Sequence, residues 1–315
     1  MNELEIIRHR QIEGLSLFFD TVDYRTSHIH PEWELIWALD QPLSVTCGQN
    51  QWSIEQGQLA LFSPNEPHEF HKLDGSCTFL CLQVSASVLP GMPRMTVDGS
   101  RPQAWFSERE LRELKRCVAA TMAAYLRQEG YYGLYCVGQS CLILHRLLSR
   151  LPTHVLTPEE IVSMDKRNAR LKRLIRFVDE NYMHKIRLAD FAAAEGCSMS
   201  YLSRFIKNAM NQSFQSYVAS VRFRCACRLM AEGNMGMLDV CMESGFSDYR
   251  YFSRAFRQAY GMTPEEYSRQ ARQIRQEAPT DSRSLHSVEQ FYSREESLNL
   301  LQLYLREFLP EIVEK

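Results

Sequence analysis

The stretch GFSDYRYFSRAFRQAYGMTP, Gly245 to Pro264, decides the reading of this 315-residue chain, because its middle returns elsewhere in the sequence. YFSRAFRQ at Tyr251 to Gln258 has a weaker copy, YLSRFIKN, at Tyr201 to Asn208. An internal repeat constrains architecture before any other feature does. In the first copy, LADFAAAEG (residues 188–196) predicts a short helix ended by glycine, the residue that reaches left-handed backbone most cheaply. Ser198 is then the expected N-cap of the next helix. The second copy repeats the order with LDVCMESG (238–245), Ser247 as the expected cap, and DYRYFSRAFRQAYG. Helix, glycine turn and capped helix make a helix-turn-helix.

Helical spacing separates two faces on the second helix of each copy. Leu202, Phe205 and Ile206, and likewise Phe252, Ala255 and Phe256, form an apolar side. Ser200, Ser203, Arg204 and Lys207 fall at i, i+3, i+4 and i+7 on the other side, as do Arg250, Ser253, Arg254 and Arg257. A basic, hydroxyl-bearing helix face suits a major groove, where arginine pairs with guanine and hydroxyls reach several acceptors. Between the copies, FQSYVASVRFRCACRLMAEG carries Phe214, Tyr217, Val218, Val221, Cys225 and Leu229 as an apolar stripe. A helix of that length spans about 28 Å, comparable with the roughly 34 Å of one duplex turn.

Charge agrees with this division. Residues 1–165 carry 13 Lys+Arg against 20 Asp+Glu, residues 166–275 carry 19 against 10, and residues 276–315 carry 4 against 8. A basic segment between acidic ones points to a polyanion-binding module attached to something else.

Residues 170–272 resemble the AraC/XylS family of bacterial transcription regulators. The resemblance rests on LADFA, the YLSRxxK stretch, the FxxYxxxxR and LM spacing of the connecting helix, GFSDxxYFSRAF and GMTPxEY. It implies that Ser200, Ser203 and Arg204 in the first copy, and Tyr249, Arg250, Ser253 and Arg254 in the second, face bases of double-stranded promoter DNA. Lys207 and Arg257 are then the expected phosphate contacts, and Arg222 a structural position. The first copy departs from the family in its run of small residues, Ala192 to Ala194, and in carrying serine where larger base readers often sit.

From about Glu13 to Val88 the pattern changes to short β-rich runs, among them LSLFFD, WELIWAL, LSVTC, QLALFS and TFLCLQV, broken by turn clusters. Many short strands at close spacing argue for an antiparallel sandwich or barrel. SHIHPEWE supplies His28, His30 and Glu34 as HxHxxxE, and Gly57, Pro64, Pro67 and His68 follow. These look like the two short motifs of the cupin barrel. In metal-binding cupins three histidines and a carboxylate converge on one cation, which suits imidazole and carboxylate preferences. A metal-dependent cupin enzyme joined to a DNA-binding module is therefore the rival reading. Regulators of this family commonly keep the motif outline as barrel architecture around an organic effector, so the expectation is no metal, no cofactor and no catalysis. His28, His30, Trp33, Glu34 and His68 are the residues expected to border an effector pocket.

Two helical segments, residues 107–151, carry Leu111, Leu114, Val118, Met122 and Leu126 on one stripe. They resemble the family's dimerisation region and imply a homodimer. The expected class is α+β and multidomain. It comprises a cupin-like sensor (1–106), a helical dimerisation hairpin (107–151), a linker (152–165), an all-α double helix-turn-helix domain (166–275) and a C-terminal helical extension (276–315). In that extension Leu298, Leu301, Leu305 and Phe308 share a stripe that should dock on something.

The N-terminal stretch lacks the apolar run of a secretory signal, and no stretch approaches a membrane span, so a cytoplasmic location is expected. Ten scattered cysteines without a CxxC pair read as reduced thiols. They also lack the metal cluster that a DNA-repair methyltransferase fused to this kind of module would need. The resemblance implies an activator that answers to a small-molecule effector, such as a sugar or related metabolite, and engages RNA polymerase.

Overall fold

The strand WELIWA is buried at all six positions, so its pleat divides two apolar interiors. In the computed structural model, which describes residues 12–47, 50–73, 75–89, 91–97, 101–210, 212–269 and 287–309, this strand is β2 (Trp33–Ala38). Trp33, Leu35 and Trp37 enter one core, and Ile36 and Ala38 enter the other. Alternate residues of a strand face opposite sides. Glu34 accordingly shares the face of Ile36 and Ala38, and its register partner Phe62 lies in that second core.

The other strands of this sheet are β1 (Leu15–His28), β3 (Leu43–Cys47), β4 (Asn50–Ile54), β5 (Leu59–Phe62), β6 (His68–Lys72) and β7 (Cys77–Val84). They pair in the order β4-β3-β6-β1-β7-β2-β5, all antiparallel, and curl into a near-closed barrel. The barrel interior is packed by Phe18, Phe62, Phe70 and Phe79. Its outer face is covered by α1 (Glu108–Arg127) and α2 (Tyr132–Leu148). Ser107 opens α1 with a capping box on Glu110, which satisfies two backbone donors reciprocally.

The end of the chain returns to this unit. A strand at Ser287–Phe291 pairs with β1, and a helix at Arg294–Leu305, here α9 in chain order, sends Leu301 and Leu305 into the core between barrel and helices, where Leu309 joins them. Arg294 donates from Nε to the Leu126 carbonyl at 2.6 Å and from its terminal nitrogen to that of Arg127 at 2.9 Å. A cation is thereby placed where the α1 dipole favours one. Phe308 packs edge-on against Trp37 at 5.0 Å, and the Tyr304 hydroxyl meets Asp40 at 3.0 Å. The expected helical extension is thus the closing piece of the sensor, while its residues 276–286 lie outside the described residues, as does the N-terminal stretch 1–11. By contact the chain forms two units, Lys166–Ser287 and the residues before Lys166 joined by those from Val288 onward.

The segment expected as a linker is ordered structure. Strand Thr153–Val155 pairs with Met95–Val97, and helix α3 (Pro158–Asn181) begins at once. Thr157 Oγ1 accepts from the Glu160 amide at 3.2 Å, while Glu160 accepts from the Thr157 amide at 2.8 Å. TPEE is therefore a capping box with proline at the first helical position, not an interruption.

Leu305→Ala should cost about 2 to 5 kcal/mol by emptying a fully buried position, whereas its neighbour Leu303, 69% exposed, should tolerate alanine within about 0.5 kcal/mol. Denaturant unfolding of the two variants measures the difference. Equal losses would mean that α9 is not seated on the sensor as described.

Candidate DNA interface and barrel site

Five helices of the C-terminal unit carry and join the two readers. They are α4 (Leu188–Glu195), α5 (Met199–Met210), α6 (Phe214–Glu232), α7 (Met237–Glu243) and α8 (Tyr249–Tyr260). Gly196 ends α4 in the left-handed conformation, and the Tyr201 amide donates to Ser198 Oγ at 3.2 Å, as the sequence implies. In the second copy the expected cap is displaced by one residue. The Tyr251 amide donates to Asp248 Oδ1 at 2.6 Å, so Asp248, not Ser247, is the N-cap of α8. A carboxylate there also meets the positive end of the helix dipole.

Helix α6 joins the copies by entering both cores. Phe214, Tyr217, Val218 and Val221 are buried along its first half, and Phe223, Ala226, Leu229 and Met230 pack with Val240, Phe246, Phe252 and Phe256 along its second. Gly245 has φ +87°, and a Cβ there would lie 2.6 Å from the Tyr182 carbonyl oxygen. Arg222 holds the same loop by donating to the carbonyls of Tyr182 and His184, each at 2.8 Å, with its guanidinium over Phe246. It occupies the structural place that its family position implies.

On the reader helices, Leu202, Ile206, Phe252 and Phe256 point inward and the basic face points out. Ser200, Ser203, Arg204 and Lys207 are exposed on α5, and Arg250, Arg254 and Arg257 on α8, with Ser253 half-buried beside them. Tyr249 differs: its hydroxyl donates to Glu265, and its ring packs on Phe252. Burial, then the Glu265 carboxylate, raises the phenol pKa.

A clamp that the sequence reading missed fixes the first reader. Glu195, the last residue of α4, accepts from Arg170 Nε at 3.0 Å and from Arg173 at 2.5 and 2.8 Å. Arg170 also donates to the Tyr201 hydroxyl at 2.7 Å and lies over the Tyr201 and Phe205 rings. The available signal was the i, i+3 arginine pair on α3 opposite an acid at a helix end.

Inside the barrel, His28, His30, Glu34 and His68 bring one ligand-type atom each within 4.8 Å of one another. His28 ends β1, Glu34 lies on β2 and His68 starts β6, in register with His28. Glu34 Oε2 lies 2.8 Å from His68 Nε2 and 3.4 Å from His30 Nε2. Its other oxygen accepts from Gln83 Nε2 at 2.9 Å and from the Cys81 thiol at 3.3 Å. Burial alone would raise the Glu34 pKa, but His30 and His68 hold it well below the usual carboxylate value. Burial lowers that of His28, with Arg25 and His68 adding to the effect.

Trp33 is not part of this cluster. It sits on the opposite face of β2, among the residues packed against α1 and α2. A separate cleft of about 220 Å³ lies outside the barrel, lined by Gln58, Leu59, Gln103, Leu111 and Lys115, and includes none of the pocket residues chosen from sequence.

A barrel with a buried histidine–carboxylate cluster and a pair of outward-facing basic helices define a sensor joined to a DNA reader. Comparison with known proteins places this pairing. The profile of the AraC-like ligand binding domain matches residues 11–135, and that of a helix-turn-helix domain matches residues 191–270. The chain thus carries the two domains that make up regulators of the AraC type, an AraC-like ligand binding domain followed by a helix-turn-helix domain. Over 95 residues it is 30% identical to the virulence regulon transcriptional activator VirF of Yersinia enterocolitica, covering 30% of this chain and 35% of that protein. Over 255 residues it is 22% identical to the uncharacterized regulator YbfI of Bacillus subtilis, covering 78% and 87%. Among solved structures, ToxT of Vibrio cholerae aligns over 81% of this chain and 97% of its own at 13% identity, with a TM-score of 0.41. Among the described residues no helix is long and apolar enough to cross a membrane.

The clamp on α4 yields a pH prediction. Hydrogen bonds from Arg173, partly opposed by burial and reinforced by Arg170, depress the Glu195 pKa from 4.5 to about 2. The stabilisation is therefore complete above the ordinary value and is lost as pH falls toward the folded one. Glu195→Gln should destabilise the full chain by about 1 kcal/mol near neutrality, a modest figure because Arg173 is half-exposed. Unfolding followed across this range should show the two proteins converge near pH 2. A gap independent of pH would remove the clamp from the account.

Proposed function

We propose that this chain is a cytoplasmic, sequence-specific regulator of transcription, most often an activator, whose engagement of promoter DNA is set by a small molecule bound in the N-terminal barrel. The observation that carries the reading is the pair of exposed basic faces on α5 and α8 within a segment of net positive charge. Arg204, Arg250 and Arg254, with Ser200, Ser203 and Ser253, are assigned to base edges; Lys207 and Arg257 are assigned to phosphates. Tyr249, held by Glu265, is better suited to positioning the start of α8 than to donating to a base. The word activator is printed for the Yersinia relative, and the same sign is proposed here by that kinship. No enzymatic step enters this function, and the partners proposed are duplex DNA, the effector, RNA polymerase and a second copy of the chain.

The second copy is proposed to pair through α2. Leu134 is 77% exposed, and Tyr135 and Leu142 are also exposed on that helix, with Tyr131 just before it at 88%. An apolar stripe of this kind suits packing against another helix. Replacing both Leu134 and Leu142 by lysine should shift the protein toward monomer in sedimentation-velocity runs without lowering its unfolding midpoint. A wild-type protein that sediments as a monomer at micromolar concentration would overturn the assignment.

For DNA, binding sites mapped across the genome with the full-length protein supply the duplex. On that duplex Arg254→Ala or Arg204→Ala should cost roughly 1 to 3 kcal/mol and relax preference at particular base pairs. Lys207→Ala should instead weaken all sequences alike and reduce the salt-dependence slope by about 1. Failure of the full chain to bind any duplex at low salt would sink the regulator reading.

A further inference from the structure

The barrel interior contains an arrangement that an organic effector does not require. His68 Nδ1 lies 2.9 Å from the Glu66 carbonyl oxygen, and a carbonyl can only accept, so the ring proton resides on Nδ1. In the neutral ring Nε2 then carries a lone pair, and that lone pair faces Glu34 Oε2 at 2.8 Å. Two acceptors at this separation repel unless something positive lies between them. A second proton on His68 would relieve one pair of atoms, whereas a metal cation would serve all four groups together.

The groups around the cluster are also placed as outer supports of a metal site. Gln83 and Cys81 occupy Glu34 Oε1 and leave Oε2 directed at the histidines. The Glu66 carbonyl fixes the His68 ring, and the Glu66 carboxylate accepts from the Ser63 amide at 2.9 Å, which holds the turn that delivers it. The Asn65 amide donates to the His30 carbonyl at 2.7 Å, and Glu32 lies 3.7 Å from His30 Nδ1. Outer partners that fix a ligand's tautomer and orientation are a regular property of metal sites. Ligands about 2.0 to 2.2 Å from one ion are separated from one another by about 3 to 4 Å; Glu34 Oε2 lies 2.8 and 3.4 Å from two of the histidine nitrogens, and all four ligand-type atoms lie within 4.8 Å of one another.

We propose that His28, His30, Glu34 and His68 bind one divalent first-row transition-metal ion inside the sensor barrel. Three imidazoles and one carboxylate, without a thiolate, suit manganese, iron, cobalt, nickel or zinc in the divalent state better than magnesium, calcium or monovalent copper. Glu34 supplies the one negative charge and the histidines add none in their neutral forms. His30, Glu34 and His68 are buried, and His28 is partly so. The inference reverses the expectation of a metal-free pocket, and it stands or falls independently of DNA binding.

The test uses untagged full-length protein grown in metal-replete medium. Elemental analysis should find about one equivalent of a single transition metal per chain. After removal by a chelator, titration with cobalt(II) should develop visible ligand-field absorption that saturates at one equivalent. Glu34→Gln should abolish that saturation, and Gln83→Leu, which touches no ion, should weaken cobalt binding about tenfold while the barrel still unfolds cooperatively. Absence of both bound metal and cobalt absorption in a cooperatively folded wild-type protein would overturn the proposal, as would unchanged cobalt affinity in Glu34→Gln. Duplex binding at low salt is measured on the same preparations, so loss of the metal site and loss of the regulator reading give different results.

Discussion

The pleat of β2 is the constraint on which the N-terminal unit depends. Neighbouring side chains of a strand must leave on opposite faces, and in WELIWA both faces are buried. Trp33, Leu35 and Trp37 are thereby committed to the helices, and Ile36 and Ala38 to the barrel interior. Glu34 must enter that interior too, where an unpaired carboxylate costs several kcal/mol. Its burial is sustained by Gln83 and Cys81 on one oxygen, while the other faces the imidazoles of His30 and His68. A register slip of one residue would exchange the tryptophans with the carboxylate and destroy both cores.

The outer core imposes a second requirement, because it is completed by the end of the chain. Leu301, Leu305 and Leu309 fill space between the barrel and α1, and Arg294 occupies carbonyls at the end of that helix. The DNA-reading unit is consequently an insertion, joined to the sensor by a segment on each side instead of by one linker.

How much of this was legible in the sequence follows from the range of the forces involved. The two helix-turn-helix copies were readable because caps, glycine turns and helical faces are local patterns; Ser198, Gly196 and the faces of α5 and α8 lie where spacing places them. Local signals also misled. Ser247 and Asp248 are both competent caps in adjacent positions, and only the backbone decides that Asp248 accepts from Tyr251. The linker expected at 152–165 contains TPEE, whose proline stands at the first position of α3 behind a capping box. The motif residues His28, His30, Glu34 and His68 were singled out together, and the barrel brings them together. Trp33 was added by proximity in sequence, although strand alternation sends it to the other face from its neighbour Glu34. The return of residues 287–309 is a long-range pairing with no local signature beyond an apolar stripe.

The two readers share a framework but differ in what sets their orientation. Helix α5 buries Leu202, Ile206, Ala209 and Met210, and it is also held from outside its own copy's turn by arginines of α3 that grip Glu195 and Tyr201. Helix α8 is held by packing: Phe252 and Phe256 lie in an aromatic cluster with Phe223, Phe246 and Tyr260, and Arg222 ties the preceding loop to Gly245's close approach. Aromatic packing is insensitive to salt, whereas a clamp with a half-exposed arginine is weakened by it. The second reader is the richer in arginine, with Arg250, Arg254 and Arg257 against Arg204 and Lys207 on the first. Under the proposed function this difference in charge assigns the larger share of phosphate and guanine contacts to α8, with α5 as the more permissive reader.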